Sequence, residues 1–416
     1  MKKWRIRIFA ACIIAYTAAY ICRVNFSIAI PGLQAELGLS NASVGLIGTS
    51  FFWVYALGQL INGYLGDIFS SRIFVFTGLI ASALINIIFG SSSMLFIMIM
   101  LWGANGIFQS MLWGPIVKTL SKWFSARWHN TIGFGMSIAV IAGYLVAWSS
   151  SGLIMSCLSW RWVFWLAGLI VLSLAFVWYI MVRDKPEDAG IISISEADKD
   201  EEIGAAQSTK NLISGKPHLK EIVSNHMIFV ALSGVSQGII KESILLWSPK
   251  LLMDTHNLSL KSTVAIVLII PLTNILGIIL SSWLNKRLGQ MEKLTIVVLM
   301  LGSFVTALLL AFFIHSSTIV SILLLACNSA LIFGINPLMT AVIPFKYSDH
   351  RKVSVTAGFI DFSIYVGAGL AGILTGLAAD ILGWSKVFVM WCAVSALGAL
   401  TMYISVLLGN KSLKNK

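Results

Sequence analysis

Tyr16-Thr17-Ala18-Ala19-Tyr20-Ile21-Cys22-Arg23-Val24-Asn25 puts one arginine in the middle of an apolar run that extends from Ile8 to Leu33. At the centre of a bilayer such a charge costs ~2.5–3.5 kcal/mol on insertion scales, so it normally faces a polar cavity and has a function there. Tyr16, Tyr20 and Arg23 follow at helical spacing, which stacks all three on one face. A face of two phenols and a guanidinium reads as the wall of an anion site.

Working outward, 58% of the 416 residues are hydrophobic and only 11% are charged, against about 25% charged in a soluble globular domain. Too little polar surface exists to cover a water-soluble fold of this size, so the chain is an all-α polytopic membrane protein. Apolar runs broken by short polar stretches predict twelve transmembrane helices, near residues 8–33, 44–66, 73–91, 94–120, 131–155, 162–182, 226–253, 263–285, 293–314, 317–345, 354–380 and 385–408. Each approaches or exceeds the ~20 residues needed to cross. The first run is too long for a signal core and has no small-residue cleavage site, so it reads as a span.

The net charge of +12 does not point to nucleic acid. Most Lys and Arg residues lie in the termini and the even-numbered connections; Arg161, Lys250, Lys261 and Lys386 stand at the odd-numbered ones. This positive-inside bias places both termini in the cytoplasm of an inner-membrane protein. Cys12, Cys22, Cys157, Cys327 and Cys392 are scattered through apolar runs without paired or metal-like spacing. The six histidines fall in or near loops and span ends. Neither a metal nor a cofactor is expected, and no nucleophile–base pair suggests an enzyme.

The connection 183–225 is polar and mixed in charge, including Glu196-Ala197-Asp198-Lys199-Asp200-Glu201-Glu202. It reads as a cytoplasmic linker between a six-helix bundle over 1–182 and a second over 226–416. The halves echo each other. Leu158-Ser159-Trp160-Arg161-Trp162-Val163-Phe164 opens span six and Leu382-Gly383-Trp384-Ser385-Lys386-Val387-Phe388 opens span twelve, while Pro115 in span four matches Pro337 in span ten. Two duplicated halves in the same orientation, with pseudo-two-fold symmetry, describe the major facilitator fold.

Gly63-Tyr64-Leu65-Gly66-Asp67 followed by Arg72 resembles that family's loop signature, in which Asp67 and Arg72 would latch helix ends at a cytoplasmic gate. The counterpart in the second half, Gly277 to Ser281 and Asn285-Lys286-Arg287, is degenerate.

Five ionisable groups fall inside spans: Arg23, Lys118, Lys241, Glu242 and Asp361. Lys118 lies near a cytoplasmic end, where its stem could snorkel to the interface. Lys241 and Glu242 are adjacent and point about 100° apart on a helix, so they are not expected simply to neutralise each other. Asp361 precedes Tyr365 on one face of helix eleven. Helices one and seven are equivalent in a duplicated bundle, so Arg23 and Lys241 are expected to face one cavity from opposite halves. Two cations there suit a phosphate ester, which carries about −1.5 to −2 at neutral pH.

Much of the chain resembles the bacterial organophosphate:phosphate antiporters, the group of the glycerol-3-phosphate and hexose-phosphate transporters. Tyr16…Tyr20…Arg23-x-Asn25-Phe26 is similar to that family's first helix. Phe108-Gln109-Ser110-Met111-Leu112-Trp113-Gly114-Pro115 with Lys118 is similar to its fourth, and Lys241-Glu242-Ser243-Ile244-Leu245-Leu246-Trp247-Ser248-Pro249 to its seventh. Ala357-Gly358-Phe359 with Tyr365 resembles its eleventh, and Arg183-Asp184-Lys185-Pro186 the turn after its sixth. The chain departs from the pattern in four places. Val140 takes the place of a phosphate-contacting histidine in helix five. Lys241 replaces an arginine fork by a point charge. Val24 stands where some members have a second basic residue, and Asp361 adds an acid where a small residue is usual.

The resemblance implies alternating access with an organic anion bound by Arg23 and Lys241. Tyr16, Tyr20, Gln109, Trp113 and Tyr365 would shape the pocket, and Asp361, Glu242 and Lys118 would balance or couple charge. The cargo is expected to be a phosphate ester or sugar-derived acid, the counter-substrate phosphate or a proton, and the working unit a monomer in the bilayer. Two other readings stand beside it: a proton-coupled symporter of a carboxylate or sugar acid, and a transporter-like membrane sensor of a sugar phosphate.

Overall fold

A membrane interior offers no water to backbone N–H and C=O groups, so an apolar run of this length must satisfy them internally as helix. The computed structural model describes residues 1–124, 128–191, 226–344 and 353–414. The acidic stretch Glu196 to Glu202 and most of the expected linker lie outside the described residues. Among those described there is no strand, and twelve helices are long and apolar enough to cross a membrane. They are α1 Lys2–Leu37, α2 Asn41–Ile68, α3 Ser71–Ser91, α4 Leu95–Trp123, α5 Gly135–Cys157, α6 Trp160–Met181, α7 Met227–His256, α8 Leu260–Arg287, α9 Glu292–Phe313, α10 Thr318–Val342, α11 Thr356–Leu382 and α12 Trp384–Leu408.

Two compact units divide the chain, Met1–Leu37 with Trp53–Ile213 and Gly38–Phe52 with Ser214–Lys416. In the first, α3 packs on α6, α1 on α5 and α6, and α3 on α4. In the second, the same pairings recur as α9 on α12, α7 on α11 and α12, and α9 on α10. The first core forms where Ala11, Ala15, Ala18 and Ala19 of α1 meet Leu79 and Ala83 of α3, Ile116 and Leu120 of α4, and Val171 and Ala175 of α6. Small residues let these backbones approach closely, and dispersion between the helices then offsets the dispersion that lipid tails would have supplied. The turn after α6 closes against the same unit: Arg72 N–H donates to Asp184 Oδ1 at 2.7 Å, and Trp123 Nε1 donates to the Arg183 carbonyl.

In the second unit, Asp380 of α11 accepts from Asn41 N and Ala42 N, at 3.1 and 2.8 Å, and from Asn41 Nδ2 at 2.8 Å. A carboxylate on the first N–H groups of α2 satisfies orphan donors and meets the positive end of the helix dipole.

Candidate substrate-binding groups

Each unit carries a buried polar knot that fixes its first helix. In the first, the Cys22 carbonyl accepts from Asn86, Asn105 and Gln109 side-chain amides at 3.2, 2.9 and 3.2 Å. Gln109 also donates to the Ala19 carbonyl at 3.0 Å, Asn25 donates to Asn86 at 3.0 Å, and Ser82 donates to Asn105 at 2.6 Å. In hydrocarbon these amides have no water to turn to, so they bond one another and the backbone. The residue next to that carbonyl is Arg23. The knot therefore sets the depth and rotation at which α1 presents its guanidinium.

Aromatic rings frame that guanidinium. Its carbon lies 5.0 Å from the Tyr55 ring centroid and 5.5 Å from that of Tyr20, within cation–π range. Tyr16 packs edge-on to Tyr20 at 5.5 Å and tilts against Trp113 at 5.0 Å, and Tyr20 tilts against Tyr144 at 5.1 Å. Gln59 donates to the Tyr55 hydroxyl at 2.7 Å. Tyr16, Tyr20, Arg23 and Trp113 thus come together, and Tyr55 and Tyr144 join them. The Gln109 amide donates to the Ala19 and Cys22 carbonyls of α1 and to Ser82 Oγ, which ties it to the backbone beside Arg23.

In the second unit, Lys241 Nζ lies 3.2 Å from Glu242 Oε1. This corrects the expectation that adjacent residues could not neutralise each other. The 100° step fixes only the Cβ directions, and the lysine stem is long enough to bring its ammonium back to the neighbouring carboxylate. Glu242 is buried, whereas Lys241, Asp361 and Tyr365 are half-buried. Lys241 acts electrostatically on Asp361.

Register makes Lys241 the counterpart of Arg23. Arg23 stands before Pro31 and Glu36 at the same spacings at which Lys241 stands before Pro249 and Asp254. The two carboxylates do the same work: Glu36 accepts the Trp160 indole N–H at 2.8 Å, and Asp254 accepts that of Trp384 at 3.0 Å. Ser82 to Asn105 likewise recurs as Ser303 to Asn328, at 2.7 Å. The α1–α5 contact of Tyr20 with Gly143 recurs between α7 and α11 as Gly238 with Ile364, the small residue having changed sides. In that register Tyr365 is the counterpart of Tyr144, and Asp361 that of Val140.

A profile of the Major Facilitator Superfamily matches residues 12–360. The chain belongs to the major facilitator superfamily. A Chlamydia pneumoniae protein described as a probable hexose phosphate transport protein is 26% identical over 96% of this chain and 90% of its own length. A Bacillus subtilis glycerol-3-phosphate transporter is 28% identical over 94% of this chain and 89% of its own. The Escherichia coli membrane sensor protein UhpC is 25% identical over 96% and 92%. By fold, an inward-facing, unoccupied bacterial homolog of the human lysosomal transporter Spinster superposes with a TM-score of 0.71, covering 98% of this chain and 95% of that one at 14% identity. A crystal structure of the nucleoside transporter NupG also superposes, with a TM-score of 0.70, 96% and 99% coverage and 14% identity. The likeness covers all twelve spans of the superfamily fold.

Of three further side chains expected to gate or couple transport, two take other partners. Arg72 does not reach Asp67. Its Nε donates to the Tyr179 carbonyl at 2.7 Å, and its guanidinium lies 4.0 Å from the Tyr179 ring centroid. The Asp67 side chain is exposed, and among the described residues no hydrogen bond or ion pair engages its carboxylate. Lys118 donates to the carbonyls of Gly66, Asp67 and Phe69 at 2.7, 2.8 and 3.2 Å. A cation on the terminal carbonyls of α2 caps its negative end. Lys118 therefore holds a helix terminus. Among the described residues, no three His, Cys, Asp or Glu side chains are grouped to hold a metal ion.

Tyr55, Gln59 and Tyr144 were not singled out from the sequence. The internal repeat carried a signal for Tyr144, because Tyr365 answers to it. Tyr55 and Gln59 are adjacent turns of α2, and their spacing alone does not tell which element they face.

Proposed function

We propose that this protein is a secondary transporter that exchanges a phosphate ester for inorganic phosphate across the inner membrane, with both termini in the cytoplasm. The anion is bound by Arg23 and Lys241, with Tyr16, Tyr20, Trp113 and Tyr365 shaping the organic part of the site. The bundles 1–182 and 226–416, joined by the linker 183–225, are the moving bodies, and a monomer suffices. The observation that carries this reading is Arg23 itself. It is a guanidinium inside a membrane span, set in depth by three amides on the neighbouring carbonyl and ringed by phenols that can donate hydrogen bonds.

The relatives named for hexose phosphate and glycerol-3-phosphate transport support the cargo class. A planar fork suits phosphate oxygens bidentately. Lys241, ion-paired with Glu242 at 3.2 Å, carries three N–H donors and so keeps donors for the same anion. Glu242 and Asp361 favour one second reading, symport of a sugar acid with a proton.

The test is exchange in proteoliposomes of the purified chain loaded with labelled inorganic phosphate. External hexose phosphate, glycerol 3-phosphate or phosphoglycerate should release label within minutes, and a sugar acid should not. Uptake of labelled sugar acid driven by an inward proton gradient, with no release of phosphate, selects symport. Saturable binding of an ester without any release selects the sensor.

A further inference from the structure

Two arginines of the first unit converge on one backbone oxygen. Arg7 of α1 donates from Nη2 to the Ile180 carbonyl at 2.9 Å. Arg183, in the turn after α6, donates from Nη1 to the same carbonyl at 3.3 Å and to that of Val182 at 2.8 Å. Among the described residues neither arginine forms an ion pair, and the Arg7 Nε–H meets no acceptor. The carboxylate next in sequence, Asp184, is taken by the Arg72 N–H at 2.7 Å. One cation is enough to cap the carbonyl end of a helix. The positive-inside bias gathers basic residues at one end of a bundle without pairing any two of them. Neither accounts for two guanidiniums drawn to one oxygen without an ion-pair partner. Like charges so placed repel, and an anion between them removes the penalty.

The pair is built into the fold. The Arg7 guanidinium lies 4.6 Å from the Trp4 ring centroid, Trp4 stacks on Trp123 at 5.8 Å, and the Trp123 indole donates to the Arg183 carbonyl at 2.9 Å. Arg5 Nε donates to the Trp123 carbonyl, also at 2.9 Å. Trp123 of α4 is fully buried, so one indole anchors both the helix that carries Arg7 and the backbone that carries Arg183. Along α6, Phe176, Val177 and Ile180 are exposed within one turn of each other. Exposed apolar side chains on a membrane span meet lipid tails, so the cationic pair stands at the end of a lipid-facing stripe.

We propose that Arg7 and Arg183 form a binding site for the headgroup of an anionic phospholipid, whose acyl chains lie along Phe176, Val177 and Ile180. The anionic oxygens of a phosphodiester suit guanidinium forks, and basic pockets between spans take such headgroups. The apolar stripe supplies contacts that a water-soluble anion has no use for. The bound lipid neutralises the pair and ties α1 to α6 at this end of the unit. Nothing in this site depends on which cargo the protein carries.

The experiment is native mass spectrometry of the full chain in a neutral detergent at physiological ionic strength, titrated with cardiolipin, phosphatidylglycerol or phosphatidylcholine. The wild type should retain the two anionic lipids at concentrations where phosphatidylcholine leaves no adduct. Arg183→Gln keeps Arg7 on the Ile180 carbonyl and should weaken anionic-lipid binding about tenfold, and Arg7→Gln with Arg183→Gln should weaken it further. Lys2→Gln with Lys3→Gln removes two exposed charges at the same end of α1 and should weaken it less than about twofold, because such charges are screened. A thermal-unfolding transition shows that each variant is folded. Arg7→Lys with Arg183→Lys keeps both charges and should still lose affinity severalfold with the forks, which covers the case in which the glutamine variants do not fold. Wild-type affinity in folded Arg183→Gln, or in the lysine pair, overturns the proposal. An equal loss in Lys2→Gln with Lys3→Gln also overturns it and makes the attraction one of diffuse surface charge. Inorganic phosphate that displaces the lipid, in a manner requiring Arg7 and Arg183, overturns it in favour of a water-soluble anion.

Discussion

The side chain of Gln109 on α4 donates to the Ala19 carbonyl of α1 at 3.0 Å, and the second unit makes the matching bond in reverse. There Gln237 of α7 donates to the Ile332 carbonyl of α10 at 3.3 Å. In the register set by Arg23 and Lys241, Ala19 answers to Gln237, while Asn105 and Asn328 pair Gln109 with Ile332. The first and fourth helix of each unit are thus tied at the same depth, with the glutamine exchanged between them. What the duplication kept is the tie, whichever helix supplies the amide.

Gln109→Ala removes donors from the Ala19 and Cys22 carbonyls and from Ser82. Leaving buried acceptors unpaired costs about 1–3 kcal/mol, read as a lower thermal midpoint of the solubilised protein. Transport should fall with stability, because the carbonyl beside Arg23 has lost one of its three ties. A variant of wild-type stability with weakened ester binding would instead make Gln109 a ligand.

Arg161 and Glu36 should not contribute equally, although they form an ion pair at 2.7 Å. Nearly half of the Glu36 side chain is exposed, and an exposed pair contributes about 0–1 kcal/mol. Arg161 also donates to the carbonyls of Gly90 and Ser92, at the end of α3, and to Ser93 Oγ. Arg161→Ala should lower the unfolding midpoint clearly more than Glu36→Gln in the same detergent. Equal shifts would mean that the ion pair carries the contact.

Gly143 of α5 admits Tyr20. A methyl placed there would meet the Tyr20 Cβ at 2.5 Å and its Cγ at 2.9 Å. Neither atom is the end of a flexible chain, so α1 and α5 must part or the ring must leave Arg23. Gly143→Ala should cost ~1–3 kcal/mol and slow exchange, whereas Gly114→Ala, where a methyl meets nothing within 4 Å, should leave both nearly unchanged. Exchange and unfolding of the two variants, measured side by side, check this.

The sequence reading of the fold needed little more than hydrophobicity and repetition. Twelve apolar runs in a solvent that forbids unpaired backbone leave no alternative to helices, and Trp160 with Trp384 already marked the duplication. The candidate site was legible as a proposal where a charge stood alone in an apolar run, as Arg23 does. It was less legible where the ends of side chains decide the matter. Lys241 and Glu242 meet although their Cβ atoms diverge, and Lys118 reaches back to the carbonyls of α2. Arg72 turns to α6 and leaves Asp67. The outcomes at Lys118 and Arg72 depend on which neighbouring helix ends offer free carbonyls, and no spacing within one helix encodes that.

The central claim, that Arg23 grips the transported anion, is tested most directly by phosphate exchange in proteoliposomes of the wild type, Arg23→Lys and Arg23→Ala at matched protein density. Loss of a charge-assisted fork should reduce Arg23→Ala by about a hundredfold or more, and the lysine point charge should restore only a small part of the rate. Exchange at the wild-type rate in folded Arg23→Ala would contradict the account.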